Sequence, residues 1–183
     1  VTPILQSRKL QIETSEFEGG RQWIYVDTQR VTQAIRNVIS NAVKYTPDNG
    51  KITISGRMLP GFIEVVVEDT GIGISQEHQS IIFEKFGQVG SVGLHSSGKT
   101  KFKGGGPGLG LSIARGILEA HGGAIWVESP GYDEKTYPGS TFHILIPART
   151  ESADPEMTRL FDTLEKKFKP NVETNTPTHN TAA

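Results

Sequence analysis

The sequence predicts an α+β domain, and three observations carry that prediction. A long helix with one apolar stripe spans about residues 28–45, a β-branched hairpin follows over residues 52–67, and a glycine-rich turn then opens a second helix with two further strands behind it. Helical spacing and strand alternation thus come in a mixed string.

The elements can be justified in chain order. Leu10 and Ile12 alternate in a first strand ending near Ser15, and Trp23, Tyr25 and Val26 suggest a second strand after the Gly19-Gly20 turn. Asp27 stands at the N-cap of the long helix, where its carboxylate can accept from the next turn's amides. Val31, Ile35, Val38, Ile39 and Ala42 form the stripe that faces a core. Asn37, Asn41 and Lys44 fall together about a third of a turn away from it, with Tyr45 at its edge. This is either a solvated face or a site, and asparagine is a mediocre helix former, so two of them four apart ask for a reason.

Thr46-Pro47-Asp48-Asn49-Gly50 is a turn, Ile52 and Ile54 alternate in a strand, and Phe62 to Val67 pairs with it after Leu59-Pro60-Gly61. That strand runs into Asp69-Thr70-Gly71-Ile72-Gly73-Ile74. A carboxylate at a strand end, before two glycines spaced to let a ligand approach, reads as a recognition point; the alternative is a turn closed by Asp69. A short helix starts at Ser75 or Gln76, before the apolar cluster Ile81, Ile82, Phe83 and Phe86. Gly87 to Lys103 lacks periodicity and carries Lys99, Lys101 and Lys103, either a mobile cover over a site or plain solubilising charge.

Gly104-Gly105-Gly106-Pro107-Gly108-Leu109-Gly110-Leu111 feeds the second helix, which Gly122-Gly123 stops. A glycine-rich turn at a helix N-terminus suits phosphate, although a surface loop would look the same. It is neither a Walker A loop nor a Rossmann turn. Ala124 to Ser129 reads as a strand, Pro130 to Pro138 as a turn region, and Gly139 to Ile146 opens and completes the last strand. Beyond it, Leu160, Phe161, Leu164 and Phe168 form an apolar stripe in a helix within 151–170, and 171–183 has the composition of a disordered tail. The folded domain is therefore expected over 1–150.

Composition narrows the classes. A net charge of −1 offers no electrostatic case for nucleic acid or a membrane surface. With no cysteine there is neither a disulfide framework nor a thiolate metal site, and a cytoplasmic setting is the default expectation. No apolar run approaches the roughly 20 residues of a membrane span. The start at Val1 suggests a piece of something larger.

Four motifs stand in order: Asn37-x3-Asn41-x2-Lys44-Tyr45, Asp69-Thr70-Gly71-Ile72-Gly73, Phe83-x2-Phe86 and Gly106-x-Gly108-Leu109-Gly110-Leu111. Together they resemble the N, G1, F and G2 boxes of the catalytic ATP-binding domain of sensor histidine kinases, in the GHKL superfamily. Gly139-Ser140-Thr141 resembles the further glycine motif near the end, and the resemblance spans roughly Lys9 to Ala148. It implies the Bergerat ATP-binding fold, a two-layer α/β sandwich whose mixed sheet is covered on one face by three helices, with ATP between helices and lid.

The resemblance also implies roles. Asp69 would accept the adenine exocyclic amine, with Thr141 supporting it through water, and Gly71, Gly73, Ile74 and Tyr45 would shape the base pocket. Asn41 would hold Mg²⁺, Lys44 would neutralise phosphate charge, and Asn37, Asn41 and Lys44 would form the catalytic set. The backbone at Gly106, Gly108, Leu109, Gly110 and Leu111 would cap the phosphates with Lys103 nearby, while Phe83 and Phe86 would anchor the lid hinge. The family commonly has Thr or Ser where this chain has Pro107, which bears on lid closure.

Hydrolytic members carry a glutamate where this chain has Asn37, and an amide is no general base near neutral pH. Phosphoryl transfer to a histidine is therefore expected over rapid hydrolysis. The acceptor would lie in a His-Glu/Asp-x-x-Thr-Pro helix, a context that His78, His95, His121, His143 and His179 all lack. The partners implied are phosphoacceptor and dimerisation helices of a parent kinase, which can itself be membrane-anchored, and a response-regulator receiver domain. The alternatives are a nucleotide-binding pseudokinase or sensor module, and a mechanical ATPase fragment or serine-directed kinase, against which Asn37, Lys44-Tyr45 and the Phe83–Phe86 box speak.

Overall fold

In a computed structural model of the chain, residues 2–15, 17, 23–85 and 108–150 are described. Phe86, the stretch 87–103, the glycines 104–106 with Pro107, and the expected helix 151–170 and tail 171–183 lie outside them. Residues 1–149 pack as one unit.

A five-stranded mixed sheet carries the domain, ordered β1-β2-β3-β5-β4. The strands are β1 (Gln11–Thr14), β2 (Lys51–Leu59), β3 (Phe62–Asp69), β4 (Ala124–Glu128) and β5 (Ser140–Pro147). β1 lies parallel to β2, and the other pairs are antiparallel. The expected hairpin is present as β2–β3, turning at Pro60 and at Gly61, whose φ of 77° needs no side chain. The strand expected at Trp23 to Val26 is not formed. Tyr25 instead donates its amide to the Arg149 carbonyl (2.7 Å), and Trp23 is exposed.

The helices are α1 (Thr2–Ser7), α2 (Thr28–Tyr45) and α3 (Gly110–Ala120). Where a short helix was expected, two single-turn 3₁₀ segments occur, Gln76–His78 and Ile81–Phe83. Asp27 caps α2, accepting from the Arg30 amide at 3.0 Å. The buried stripe of α2 is Val31, Ala34, Val38, Ala42 and Val43, with Ile35 and Ile39 only half-buried. The stripe is thus turned slightly from the expected one, because Ala34 lets the helix sit close over the sheet while the larger isoleucines flank the contact.

The core lies between this stripe, Leu111, Ala114 and Leu118 of α3, and one sheet face carrying Ile52, Val67, Phe142 and Ile144. Successive strand residues alternate between faces. The register Asp69↔Ser140, Val67↔Phe142 puts Asp69 and Ser140 on the helix-covered face, and Glu68↔Thr141 puts Glu68 and Thr141 on the other.

Candidate functional site

The polar side chains that share a face of α2 are half-buried. Asn37, Asn41, Lys44 and Tyr45 all line a cavity of about 230 Å³, which α3's first residues and the ends of β3 and β5 complete. Helical spacing alone brings these four side chains to one wall, because residues three and four apart stack on one side.

The C-terminal turn of α2 is held from outside the helix. Arg8, buried, donates through Nη1 to the Val43 carbonyl (2.6 Å), through Nη2 to the Thr46 carbonyl, and through Nε to Asp48 Oδ1 (2.8 Å). Thr46, also buried, donates its hydroxyl to the Ala42 carbonyl at 2.7 Å. Carbonyls that the helix leaves unpaired at its end are thereby satisfied, and Lys44 and Tyr45 are fixed at the cavity. The Lys44 ammonium lies 4.8 Å from the centre of the Tyr45 ring, a cation–π contact. Nothing in the sequence marked Arg8 for this task.

At one end of the cavity, β3 delivers Asp69, 5 % exposed. The Gly71 amide donates to its Oδ1 at 2.8 Å. Burial pushes the Asp69 carboxyl up to about 6, against the pull of the Gly71 and Ser140 backbone amides, and the Glu68 charge adds to the rise. No cation is among the groups acting on it. The carboxylate therefore stands buried in a cavity wall with backbone amides for partners.

The two glycines after Asp69 are packed closely against neighbouring protein. A Cβ on Gly71 would lie 2.6 Å from Asp69 Oδ1 and 2.6 Å from the Tyr45 carbonyl oxygen, and one on Gly73 would overlap the Gly131 carbonyl. They make room for neighbouring protein and only indirectly for a ligand. Ile72, Gly73 and Ile74 line the cavity.

At the other end, α3 begins at Gly110 with no side-chain cap on Leu109. The first amides of a helix have no intrahelical acceptor, and Gly108, Leu109, Gly110 and Leu111 line the cavity there. Asn37 Nδ2 donates to the Gly110 carbonyl at 2.9 Å, tying α2 to the start of α3. From Asn37 to Tyr45 the helix rises about 12 Å, at 1.5 Å per residue. The uncapped helix end and the Asp69 carboxylate thus stand at opposite ends of one cavity.

Two expected positions need correction or comment. The register puts Thr141 on the sheet face opposite the cavity, whereas Ser140, paired with Asp69, lines it. The difference is one residue of strand parity. Phe83 is buried in the core with its ring edge-on to Phe142 (centroids 6.4 Å apart), and its neighbour Ile82 reaches the cavity. Phe86, Lys103 and Gly106 lie outside the described residues. Reading the sequence missed Ser40, Ile72, Ile82, Tyr132, Ser140 and Phe142 as lining residues. For Ser140 and Phe142 the alternation of β5 was the available signal; Tyr132 had none.

No helix among the described residues is long and apolar enough to cross a membrane, and none of their acidic and imidazole side chains cluster as a metal site of three or more.

Comparisons with known proteins bear on this geometry. Residues 26–150 match the family described as histidine kinase-, DNA gyrase B-, and HSP90-like ATPase. The probable sensor kinase SilS of Salmonella typhimurium is 36% identical over 141 residues, covering 77% of this chain and 26% of that protein. The hybrid signal transduction histidine kinase C of Dictyostelium discoideum is 34% identical over 155 residues, 82% of this chain and 12% of its own length. This chain therefore spans only a minor part of the curated relatives it matches. Among solved structures, the catalytic domain of histidine kinase ThkA superposes with a TM-score of 0.63 at 28% identity, covering 81% of this chain and 85% of that one. Full-length ShkA in complex with AMPPNP gives 0.63 at 26% identity (82% and 28%), and ThkA in complex with response regulator protein TrrA gives 0.58 at 26% (80% and 36%).

Proposed function

This chain belongs to the family of histidine kinase-, DNA gyrase B-, and HSP90-like ATPases, and from that premise we propose that it binds Mg·ATP in the cavity and donates the γ-phosphoryl group to a histidine on phosphoacceptor helices outside these residues. The observation that carries the reading is the polarity of the cavity. One end offers a buried carboxylate without a cation, the other an uncapped helix N-terminus with Lys44 and two asparagine amides along the wall between them. A nucleoside triphosphate has the complementary polarity, an amino group at its base end and a run of negative charge at the other.

Asp69 accepts from the exocyclic amine of adenine, where guanine would present a carbonyl, so the carboxylate selects the base. Ser140, adjacent to it in the register, supports that end. The first turn of α3 receives phosphate through its free amides and its partial positive charge. Mg²⁺, a hard cation suited to amide and phosphate oxygens, would be held through Asn41 and supplies neutralisation of phosphate charge when bound. Lys44 adds a point charge beside it. Asn37 keeps the two helices in register and lacks the basicity to activate water, which favours transfer over hydrolysis. A response-regulator receiver domain downstream is in keeping with the solved complex of ThkA with TrrA.

The test is transfer itself. With Mg·ATP labelled in the γ position and a supplied acceptor domain bearing His-Glu/Asp-x-x-Thr-Pro, acid-labile, alkali-stable label is expected on the acceptor histidine. ATP binding without label on any of several acceptor domains would replace the kinase reading with that of a nucleotide-binding pseudokinase or sensor module.

A further inference from the structure

The loop from Pro130 to Gly139 belongs to none of the four motifs, yet it closes part of the cavity. Its Tyr132 lines the cavity while remaining 47 % exposed. A half-exposed tyrosine is ordinarily a surface residue, but the backbone around this one is fastened to the turn after Asp69. Tyr132 pairs with Gly73 as an isolated antiparallel bridge. The Asp133 amide donates to the Ile72 carbonyl (2.8 Å) and the Gly139 amide to the Gly71 carbonyl (2.9 Å). The Ile74 amide donates to Ser129 Oγ at 2.9 Å, and Gln79 Nε2 donates to the Ile74 and Ser129 carbonyls. Inside the loop, Asp133 Oδ1 accepts from the amides of Lys135 (2.7 Å) and Thr136 (3.1 Å).

Such a loop holds one aromatic ring at a set position on the rim. The Tyr132 hydroxyl donates to the Glu134 carboxylate, which anchors the ring at its far end. That bond, with burial and the Glu134 charge, pushes the phenol up to about 12, so the ring stays neutral. A carboxylate beside the hydroxyl repels phosphate, and the loop's ties run to Gly71, Ile72, Gly73 and Ile74, next to Asp69. The ring therefore belongs to the base end of the cavity, where a flat aromatic partner fits it.

We propose that Tyr132 is a base-contacting residue whose ring stacks on the purine that Asp69 holds, so that the 130–139 loop forms part of nucleotide recognition. The inference rests on the nucleotide reading above. A residue that touches only the base contributes equally to every ligand carrying that base. Stacking on an aromatic side chain predicts that Tyr132→Ala weakens adenosine, ADP and Mg·ATP by one common factor, about tenfold, and that Tyr132→Phe stays within about twofold of the unaltered chain. Tyr132→Leu, apolar but not aromatic, should behave like the alanine variant.

Calorimetric titration of the full chain and its three variants reads this, with hydrogen exchange at the Asp133 and Gly139 amides as the check on the loop. If the alanine variant loosens those amides, the Phe and Leu variants decide the matter between them. Unchanged affinities in Tyr132→Ala, loss for Mg·ATP alone, or a Leu variant equal to Phe would each overturn the stacking role. An unaltered chain that bound none of the three ligands would overturn the nucleotide reading and this inference together.

Discussion

The two ends of the cavity are built by opposite means. At the base end every group is held: Asp69 is buried, its carboxylate takes the Gly71 amide, and the turn behind it is fastened to the 130–139 loop through Ile72, Gly73 and Gly139. At the other end α3 starts without a side-chain cap, and Lys44 rests against Tyr45 with no carboxylate partner among the described residues. A closed end can recognise a rigid heterocycle without rearranging, because its order is already in place before binding. The first amides of a helix have no intrahelical acceptor, which suits a charged and flexible chain of phosphates. On the nucleotide reading proposed above, the contrast teaches that base selection is preformed, whereas the phosphate end is completed by what binds there.

The largest expected effect on binding lies at the closed end. Asp69→Asn should weaken Mg·ATP by roughly 100-fold, since it removes a charged acceptor from a buried position and one amide orientation sets donor against donor. The fold should persist, as circular dichroism would verify. An affinity within a few-fold of the unaltered chain would mean that the base is read elsewhere.

Asn41→Ala comes next and addresses the open end. It should lower phosphotransfer by about 100-fold or more through loss of the metal ligand, while adenosine, which carries no phosphate, should bind as before. Equal transfer rates in the variant and the unaltered chain would place the metal on other residues.

Acidity separates the ends by sign. The folded-state pKa of Asp69 is raised, from 3.8 to about 6. The stability it contributes to the unliganded domain is therefore fully present below its unfolded value and lost as pH rises through about 6. Adenosine binding needs the ionised form, so its affinity should fall toward tenfold per unit as pH drops below about 6. Unliganded stability and adenosine affinity should thus change in opposite directions over this interval. In Asp69→Asn both dependences should flatten; adenosine affinity that is level between pH 5 and 7 in the unaltered chain would break the argument.

The smallest predicted effect concerns one step of strand parity. Ser140→Ala should weaken nucleotide binding a few-fold, about 1 kcal/mol for one polar contact, and Thr141→Ala should leave it unchanged. Parallel titrations of the two variants check this, and the reverse order would restore Thr141 to the site.

That last pair shows where the sequence was readable and where it was not. The helical face Asn37, Asn41, Lys44 and Tyr45 was legible because its geometry is local: three- and four-residue spacing puts side chains on one wall whatever the surroundings. Asp69 was legible as a carboxylate at the end of an apolar strand. Ser140 against Thr141 was not, because the face a strand residue takes depends on the register with β3, which is a non-local property. For the same reason Gly71 and Gly73 were recognised as needing no side chain, while the neighbours that occupy the space, Tyr45 and Gly131, were not visible. Arg8 and Tyr132 act through contacts with residues 35 or more positions away in the chain or through backbone ties made elsewhere in the loop. Trp23 to Val26 had strand composition but found no place in the sheet.

The central claim is that a buried carboxylate at a preformed end selects the base, and discrimination between ATP and GTP tests it most directly. Titrating the unaltered chain with Mg·ATP and Mg·GTP at neutral pH, where Asp69 is ionised, should show ATP bound far more tightly, because the same phosphates then meet a base with an amino group or one with a carbonyl at the carboxylate. Equal affinities for the two would contradict the account.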